Sequence, residues 1–554
     1  MGAEKNIITD NLPIWSSAIQ SKSSAGRGAS SKRHLYGVKK LRELILNLAV
    51  RGLLVPQDPN DVSLNTLVES MIAKKNEADG NHIKKGKFDF STPIHIEGLE
   101  NQTPVNWGYF YLGSLVDILD SLRKPISRKD RVSGQYPYYG ASGVVDYVNN
   151  FIFDEPLVLI GEDGAKWGKG EKTAFTISGK TWVNNHAHVV RPNRNIILDK
   201  FLTNSLMQQN LQKYITGITV PKLNQARLSS IIIPIPPLAE QNRIVAKVDE
   251  LMALCDTLEQ QQEDSIQAHE TLVEVLLEAL SNAVDADAFQ AAWGRISEYF
   301  DALFTTDHSI NKLKETILQL AVMGKLVPQD PSDEPASVLL EKIATEKERL
   351  VKEGKIKKQK SEAKIHHKST QFTTPDGWVK TSFGKVMLNL DSQRIPIPMQ
   401  DRKLRSGPYP YYGASGVIDK IDGYLFDKTL LLIGEDGANL VNRSTPIAFL
   451  ATDKFWVNNH AHVLDAIDDI TLHYMSIHIN AIDLIPYITG MAQPKMNQAK
   501  MNSIYIMLPP LAEQHRIVAK VDELMALCDQ LKNSINQAQE TQILLTDAVV
   551  ENAL

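Results

Sequence analysis

Residues 236–256 read Pro-Pro-Leu-Ala-Glu-Gln-Asn-Arg-Ile-Val-Ala-Lys-Val-Asp-Glu-Leu-Met-Ala-Leu-Cys-Asp, and residues 509–529 repeat them with one difference, Asn242 against His515. The two prolines end one segment, and the apolar residues after them follow at 4-3-4-3 spacing, which is a heptad seam. In the first copy this seam is formed by Ile244, Val248, Leu251, Cys255 and Leu258. Two copies of one seam predict two long helices that pack on each other.

The repetition extends over most of the chain. Tyr-Pro-Tyr-Tyr-Gly-Ala-Ser-Gly-Val begins at residue 136 and again at residue 409, and Leu-Ile-Gly-Glu-Asp-Gly-Ala begins at 159 and again at 432. Trp-Val-Asn-Asn-His-Ala-His-Val (182 and 456) and Pro-Lys-x-Asn-Gln-Ala (221 and 494) also occur twice. Such a long internal period indicates a tandem duplication. Each copy consists of an opening helix, a module of short apolar runs and Gly/Pro turns, and a long exit helix.

The predicted fold class is α+β. Two tandem α/β modules are joined by a long antiparallel two-helix coiled-coil spacer, with a pseudo-twofold internal duplication. We divide the chain into a flexible N-terminal segment (1–35), an N-terminal helical region (36–104), module one (105–235), a central spacer helix and helical region (236–376), module two (377–508) and a C-terminal spacer helix (509–554).

Composition favours a soluble protein of several domains. The chain has 554 residues, of which 43% are hydrophobic and 23% charged. It has no run of eighteen apolar residues and no signal sequence at its start, so we expect a cytoplasmic location. Cys255 and Cys528 occupy the same position of the repeated helix, where we expect small apolar side chains and neither a disulfide nor a metal site.

Charge is unevenly distributed along the chain. Residues 238–282 contain ten acidic side chains against Arg243 and Lys247, so this helix should avoid phosphates. Basic residues cluster instead on Gly/Pro-rich loops of both modules, at 123–131, 166–172 and 394–405. Basic modules separated by an acidic helix are typical of a bipartite nucleic-acid reader, although exposed loops can also be basic for solubility alone.

Motifs for catalysis or metal binding are weak. Ser178-Gly-Lys-Thr181 lacks the glycine that a phosphate loop needs at position 174, which is Ala. The pairs His186/His188 and His460/His462 could face one side of a strand, but without ligands at matching spacing we favour structural histidines. Glu162-Asp163 and Glu435-Asp436 could belong to a metal-dependent nuclease, yet a turn before glycine explains them more simply.

The repeated phrases resemble those of specificity (S) subunits of type I restriction-modification systems. The resemblance rests on the Pro-Leu-Ala-Glu-Gln-x-Arg-Ile-Val helices, the Tyr-Tyr-Gly-Ala-Ser-Gly and Ile-Gly-Glu-Asp-Gly phrases and Pro-Lys-x-Asn-Gln, and it covers the chain from about residue 36. It implies that each module is a target recognition domain for one half of a split DNA site. It also implies two modification subunits that methylate adenine with S-adenosylmethionine, and restriction subunits that use ATP and Mg²⁺. The chain itself would bind no cofactor and catalyse no reaction.

Base readout is expected where the two copies diverge, because shared phrases cannot distinguish two half-sites. The clearest divergence lies at 166–173 against 439–445, followed by 122–133 against 393–406. We hypothesise that Asn439, Asn442 and Arg443 read bases in module two. The predicted DNA-contacting residues are Arg123, Lys124, Arg128, Lys129, Arg131, Lys166, Trp167, Lys169, Lys172 and Lys222 in module one, and Arg394, Arg402, Lys403, Arg405, Asn439, Asn442, Arg443 and Lys495 in module two.

Two alternative functions remain open at this stage. In the first, the Glu-Asp loops or the His-x-His pairs form a metal-dependent nuclease. In the second, the chain is a coiled-coil scaffold without DNA contact. The sequence does not name the target bases or the length of the gap between half-sites.

Overall fold

The computed structural model of the chain describes residues 3–22, 32–62, 103–217, 219–357, 374–490 and 493–554. The described residues form two compact units. Unit 1 contains those before residue 265 and from residue 539 onward, and unit 2 contains residues 265–538. Module one therefore belongs to unit 1 and module two to unit 2.

Unit 1 combines short helices with short strands, as the alternation of apolar runs and turns predicts. Its helices are α1 (Ala3–Asp10), α2 (Leu12–Ser17), α3 (Tyr36–Val50), α4 (Leu112–Leu115), α5 (Asp199–Gln208) and α6 (Gln225–Ser229). Its strands are β1 (Ile19–Lys22), β2 (Lys32–Leu35), β3 (Gly108–Tyr111), β4 (Val116–Ile118), β5 (Ser133–Gly140), β6 (Gly143–Val148), β7 (Phe153–Asp154), β8 (Leu157–Gly161), β9 (Ala174–Ile177), β10 (Lys180–Val183), β11 (Ala187–Pro192) and β12 (Ile232–Ile235). The first long helix, α7, spans Leu238–Ser281.

Unit 2 repeats this order and adds helices before module two. Its helices are α8 (Ala286–Glu298), α9 (Phe300–Leu303), α10 (Asp307–Val322), α11 (Ala336–Lys352), α12 (Phe383–Val386), α13 (Met399–Leu404), α14 (Asn439–Asn442), α15 (Asp469–Ala481) and α16 (Gln498–Asn502). Its strands are β13 (Val379–Ser382), β14 (Leu388–Asn389), β15 (Ser406–Gly413), β16 (Gly416–Ile421), β17 (Phe426–Asp427), β18 (Leu430–Gly434), β19 (Ala448–Ala451), β20 (Lys454–Val457), β21 (Ala461–Asp465) and β22 (Tyr505–Leu508). The second long helix, α17, spans Leu511–Ala553.

Each module is built on two four-stranded sheets. In module one their strand orders are β6-β5-β10-β7 and β4-β11-β8-β9, and in module two they are β16-β15-β20-β17 and β14-β21-β18-β19. The central strands β8 and β18 are buried along their whole length, in agreement with their predicted place in the core. Equivalent strands pair in the same way, with His188 opposite Ile160 and His462 opposite Ile433. The internal duplication and the mixed fold class are therefore confirmed.

The N-terminal segment differs from the prediction of a flexible chain over residues 1–35. Trp15 is fully buried, and its Nε1 donates to the carbonyl of Ile8 at 3.0 Å. The amide of Gly37 donates to the carbonyl of Ala18 at 3.0 Å, which ties the segment to the start of α3. The apolar residues at positions 7–15 supply enough buried surface to order α1 and α2. The correction concerns residues 3–22 and 32–35, while the Ser/Gly/basic residues 23–31 lie outside the described residues.

The two long helices have the predicted bounds, and their repeated seams also pack against a partner that the seams alone do not predict. In unit 1 the buried residues Ile244, Val248, Leu251 and Cys255 share a core with α3, which the sequence analysis did not include in the contact. Arg42 of α3 binds Asp256 at 2.6 Å and Glu259 at 2.9 Å. The reason is that α3 carries an apolar face of its own, which must also be buried.

The opening helix of each unit, α3 in unit 1 and α10 in unit 2, also contacts the last part of a long helix: α17 in unit 1 and α7 in unit 2. Tyr36 donates to Asp547 at 2.8 Å in unit 1, and His308 of α10 contacts Glu274 at 3.1 Å in unit 2. In unit 2, Lys314 of α10 also pairs with Asp529. Within its own unit, each opening helix therefore contacts the first part of one long helix and the last part of the other.

The repeated Pro-Leu-Ala-Glu-Gln-x-Arg phrase joins each long helix to its module. Glu240 accepts from the indole Nε1 of Trp107 at 3.1 Å, and Glu513 accepts from Trp378 at 2.9 Å. Two residues after the glutamine, Arg243 binds Asp61 and Arg516 binds Asp333, each at 2.6 Å. The identity of this phrase in both copies is thus explained by the same junction built twice.

Two smaller observations complete the fold. Among the described residues, no helix combines the length and the apolar character needed to cross a membrane. Cys255 and Cys528 are buried and unbonded to each other, and burial raises the pKa of the Cys255 thiol to about 11. Both cysteines therefore behave as small apolar residues, as expected.

Candidate nucleic-acid interface

A buried network of charged side chains lies at the centre of module one. Asp120 binds Nδ1 of His188 at 2.6 Å and accepts the backbone N–H of Val189 at 2.9 Å. Arg123 pairs with Glu162 and donates to the carbonyl of Ala187 at 2.7 Å. Lys222 binds the other carboxylate oxygen of Glu162 at 2.8 Å. The network joins the loop after β4, the ends of β8 and β11, and the segment before α6.

Module two contains the same network. Asp391 binds Nδ1 of His462 at 2.7 Å. Glu435 accepts from Arg394 at 2.7 Å and from Lys495 at 3.1 Å. The repeated phrases Ile-Gly-Glu-Asp-Gly and Pro-Lys-x-Asn-Gln therefore supply an internal framework, in which the glutamate of one phrase binds the lysine of the other.

The carboxylates of the network are stabilised in their charged form. Burial alone would raise the pKa of Asp120, but the hydrogen bond from His188, its charge, the Val189 N–H and the charge of Arg123 leave it below its usual value. Burial would also raise the pKa of Glu162, but the hydrogen bonds from Lys222 and Arg123 leave it below its usual value. The pKa values of Asp391 and Glu435 are lowered in the same way.

Asp120, Glu162 and His188 also have the spacing of a metal site, with ligand atoms within 4.8 Å of one another. Their chemistry does not suit an ion, however. His188 faces Asp120 through Nδ1 and the carbonyl of Leu223 through Nε2 at 2.6 Å. Both ring nitrogens are thus already hydrogen-bonded within the protein, and neither is free to bind an ion. Glu162 is bound by two cations. We therefore interpret the group as an ion-pair network.

In each module, an arginine stacked on a tyrosine ring fixes the basic loop that follows the network. The guanidinium of Arg131 lies 4.5 Å from the ring centre of Tyr138, binds Asp146 at 3.0 Å and donates to the carbonyl of Ile126. Arg402 lies 4.9 Å from the ring centre of Tyr411 and binds Asp419 at 3.1 Å. These two arginines, both predicted DNA contacts, thus hold their loops against the repeated Tyr-Pro-Tyr-Tyr-Gly strand.

Several side chains of the divergent loops at 166–173 and 439–445 also make contacts within their own module. Trp167 is buried, and its Nε1 donates to the carbonyl of Gly161 at 3.1 Å. Asn439 accepts from the backbone N–H of Thr445 at 3.0 Å and donates to its carbonyl at 3.1 Å. Arg443 donates to the carbonyl of Ile479 at 3.0 Å. Of the three hypothesised readers, the exposed Asn442 is therefore the best placed for a base.

The predicted DNA contacts thus divide into two groups. The first group makes internal contacts in its own module and contains Arg123, Arg131, Trp167, Lys222, Arg394, Arg402, Arg405, Asn439, Arg443 and Lys495. The second group extends exposed side chains from the loops and contains Lys124, Arg128, Lys129, Lys166, Lys169, Lys172, Lys403 and Asn442. DNA contact remains a prediction for both groups. The second group is the more exposed, although Lys166 lies 3.9 Å from Glu171 and Lys172 lies 5.9 Å from the ring centre of Phe175.

Asp120 and Asp391, which organise the two networks, were not among the residues predicted from the sequence. Both lie in a short repeated pattern, Asp-Ser-x-Arg at 120–123 and 391–394, which could have revealed them. The two histidines of each His-x-His pair also differ, although their spacing alone does not distinguish them. His188 and His462 are buried, whereas His186 and His460 are exposed.

Comparison with known proteins agrees with the duplicated geometry. The family described as type I restriction modification DNA specificity domain matches residues 104–268 and 375–540. The EcoEI and EcoAI specificity subunits of type I restriction enzymes from Escherichia coli are 34% and 33% identical to this chain, with full coverage of both sequences in each case. The HsdS subunit from Thermoanaerobacter tengcongensis, a solved structure, is 14% identical, with a TM-score of 0.35 over 85% of this chain and 99% of that one. On the strength of the sequence matches, the chain belongs to the family of specificity subunits of type I restriction enzymes.

Proposed function

We propose that this chain reads a bipartite sequence in double-stranded DNA, with one half-site for each module. The single observation that supports this best is a framework built twice with different exposed loops. The Asp-Arg-Glu-Lys-His network and the Arg-on-Tyr anchor recur contact for contact, while the residues between the anchors differ. A common frame with variable tips suits two readers of different sequences.

The best candidate for base reading is the loop between Ile126 and Arg131 and its counterpart between Ile397 and Arg402. Tyr138 Oη accepts from the amide of Ile126 at 3.0 Å, and Tyr411 Oη accepts from the amide of Ile397 at 2.9 Å. The arginine closes each loop by donating to the isoleucine carbonyl. Four residues therefore lie between the same two anchors in both modules, and the loop tip is fixed at both ends.

The two loop tips differ in chemistry. Ser127-Arg128-Lys129-Asp130 stands in module one, and Pro398-Met399-Gln400-Asp401 stands in module two. Every side chain in these two tips is exposed. An arginine suits the O6 and N7 atoms of guanine, a glutamine suits adenine, and an apolar side chain suits the methyl group of thymine. We therefore expect a G·C pair in the half-site of module one and an A·T pair in that of module two.

A three-residue graft tests this assignment. The combined change Ser127→Pro, Arg128→Met and Lys129→Gln gives module one the tip of module two. Mapping of methylated positions, in cells that contain the chain and its methyltransferase partner, should show one altered half-site with the other half-site and the gap unchanged. The exchange of residues 166–173 for 439–445 serves as the comparison. An unaltered motif in the graft would reject the loop tip as a reader, and the absence of any split motif for the wild-type chain would reject the proposed function.

The same proposal extends to the partners. We infer that the chain recruits two modification subunits, which would bring S-adenosylmethionine and methylate adenine, and restriction subunits, which would use ATP and Mg²⁺. The chain would contribute no catalysis and would act in the cytoplasm, where the DNA lies. The length of the long helices supports a role as a spacer, since 44 residues of α-helix extend about 66 Å. Co-purification of tagged chain with both subunit types, followed by their mass ratio, tests this composition.

The alternatives have less support. The Glu162 and Glu435 carboxylates, which a metal-dependent nuclease would need, are bound by lysine side chains. Incubation of the purified chain with Mg²⁺ and DNA decides the nuclease alternative. DNA cleavage that is lost in Glu162→Ala and Glu435→Ala would favour it. For the scaffold alternative, neutralising Arg128 and Lys129 should leave DNA affinity unchanged.

A further inference from the structure

The first histidine of each His-x-His pair stands outside the buried network. The side chains of His186 and His460 are each 51% exposed. Nδ1 of His186 is bound by Asp163, and Nδ1 of His460 lies 2.9 Å from Asp436. Because the aspartate takes Nδ1, the exposed ring can donate outward only through Nε2.

The turn that carries each histidine is fixed in the same way. The backbone N–H of His186 donates to Oδ1 of Asn184, and that of His460 donates to Oδ1 of Asn458, each at 2.8 Å. In module one the histidine borders a shallow cavity of about 460 Å³. The wall opposite is the turn at residues 140–145, Gly-Ala-Ser-Gly-Val-Val, which carries no charge.

The charges around His186 favour an anion. The Glu162 carboxylate is bound by Arg123 and Lys222, and the Asp120 carboxylate is bound by His188 and Arg123. Asp163 is therefore the carboxylate left to balance His186. Two cationic side chains also lie close to this turn: Lys222 is the residue that forms a β-bridge with Asp163, and Nη1 of Arg123 lies 3.5 Å from the carbonyl of Asn185. Since Asp163 is bound at Nδ1, the imidazole ring lies between this carboxylate and an anion that approaches Nε2.

We propose that His186 and His460 each bind a phosphodiester of the DNA backbone through Nε2, with Asp163 and Asp436 as positioning residues. This inference rests on the proposed function. The histidine–aspartate pair is the same in both modules, although the expected half-sites differ. Its ligand must therefore be common to both half-sites. The sugar-phosphate backbone is common to every DNA sequence, and contacts to it set position without reading bases.

The test uses the complex of this chain with its modification subunits and the double variant His186→Gln/His460→Gln. Each lost phosphate contact lowers the salt slope of DNA affinity by about 0.9, so the slope should fall by about two. The same relation gives a roughly 15- to 20-fold weaker affinity at about 0.2 M salt. The methylated motif should stay the same. His515→Asn, which removes a histidine from the acidic helix α17, should change neither quantity.

The salt slope separates this role from a structural one, because the slope counts phosphate contacts and a purely structural side chain would leave it unchanged. An unchanged salt slope and affinity in the double variant would overturn the proposal. So would an altered motif, or normal DNA affinity combined with loss of the modification subunits, which would assign the surface to a protein partner. Failure of the wild-type complex to recognise any split motif would instead overturn the proposed function.

Discussion

Replacing Glu162 with glutamine should destabilise unit 1. Glu162 and Arg123 form an ion pair in which the side chains are only 9% and 12% exposed. Hydrogen bonds to charged partners contribute about 1.5 to 3 kcal/mol. Lys222, which is 45% exposed, adds roughly 0.2 to 1 kcal/mol because water screens its charge. Glutamine keeps the volume but loses the charge, so we expect a loss of about 3 kcal/mol.

Native-state hydrogen exchange of the full chain measures this loss locally. The amides of β8, which leads directly into Glu162, should exchange with a free energy of opening about 3 kcal/mol lower than in the wild type. The equivalent strand β18 of unit 2 is the internal control. Glu171→Gln is the matched variant, because the Lys166–Glu171 pair is exposed and 3.9 Å apart and should contribute less than about 0.5 kcal/mol. Equal effects of Glu162→Gln and Glu171→Gln would refute the reasoning.

Three further predictions follow from the same contacts. Trp378→Phe removes the indole donor to Glu513, whose other carboxylate oxygen is buried without a partner, and should cost about 2 to 3 kcal/mol. Trp107→Phe should cost less, because Gln57 still donates to Glu240 at 2.6 Å, and hydrogen exchange in β13 and β3 compares the two. Gly37→Ala should release the N-terminal segment to limited proteolysis, because a Cβ would lie 2.2 Å from the carbonyl oxygen of Trp15. Finally, the folded pKa values of Asp120, Glu162, Asp391 and Glu435 are lowered, so their stabilisation is complete above the usual carboxyl pKa of about 4 and is lost as the pH falls below it. Acid unfolding followed by circular dichroism should therefore be less steep in the Glu162→Gln/Glu435→Gln variant.

Much of the fold could be predicted because the same phrases occur in both copies of the duplication and show which segments are equivalent. The bounds of α7 and α17, the buried strands β8 and β18 and the mixed modules all follow from repeated phrases and apolar spacing. The packing of the seam was only partly predicted. A heptad pattern shows that a face is buried, but it does not name the partner, and α3 and α10 compete for that face.

The candidate site was predicted less well than the fold. Clustered basic residues on loops predict DNA contact as a group, yet a charge count cannot distinguish an arginine open to solvent from one that is bound to a carboxylate distant in sequence. Arg123 and Glu162 are separated by 39 residues, and Arg394 and Glu435 by 41. Only folding brings these partners within contact distance.

The sequence by itself determined the duplication, the two long helices, the family and the expectation of a bipartite reader. These conclusions depend on order and spacing along the chain, which sequence preserves. The tertiary structure alone decided which charged side chains are internal, which histidine of each pair is exposed, and which loop tips are held between fixed anchors. The physical reason is that hydrogen bonds and ion pairs act over a few ångströms in space, whereas the residues that make them lie tens to hundreds of positions apart in the chain.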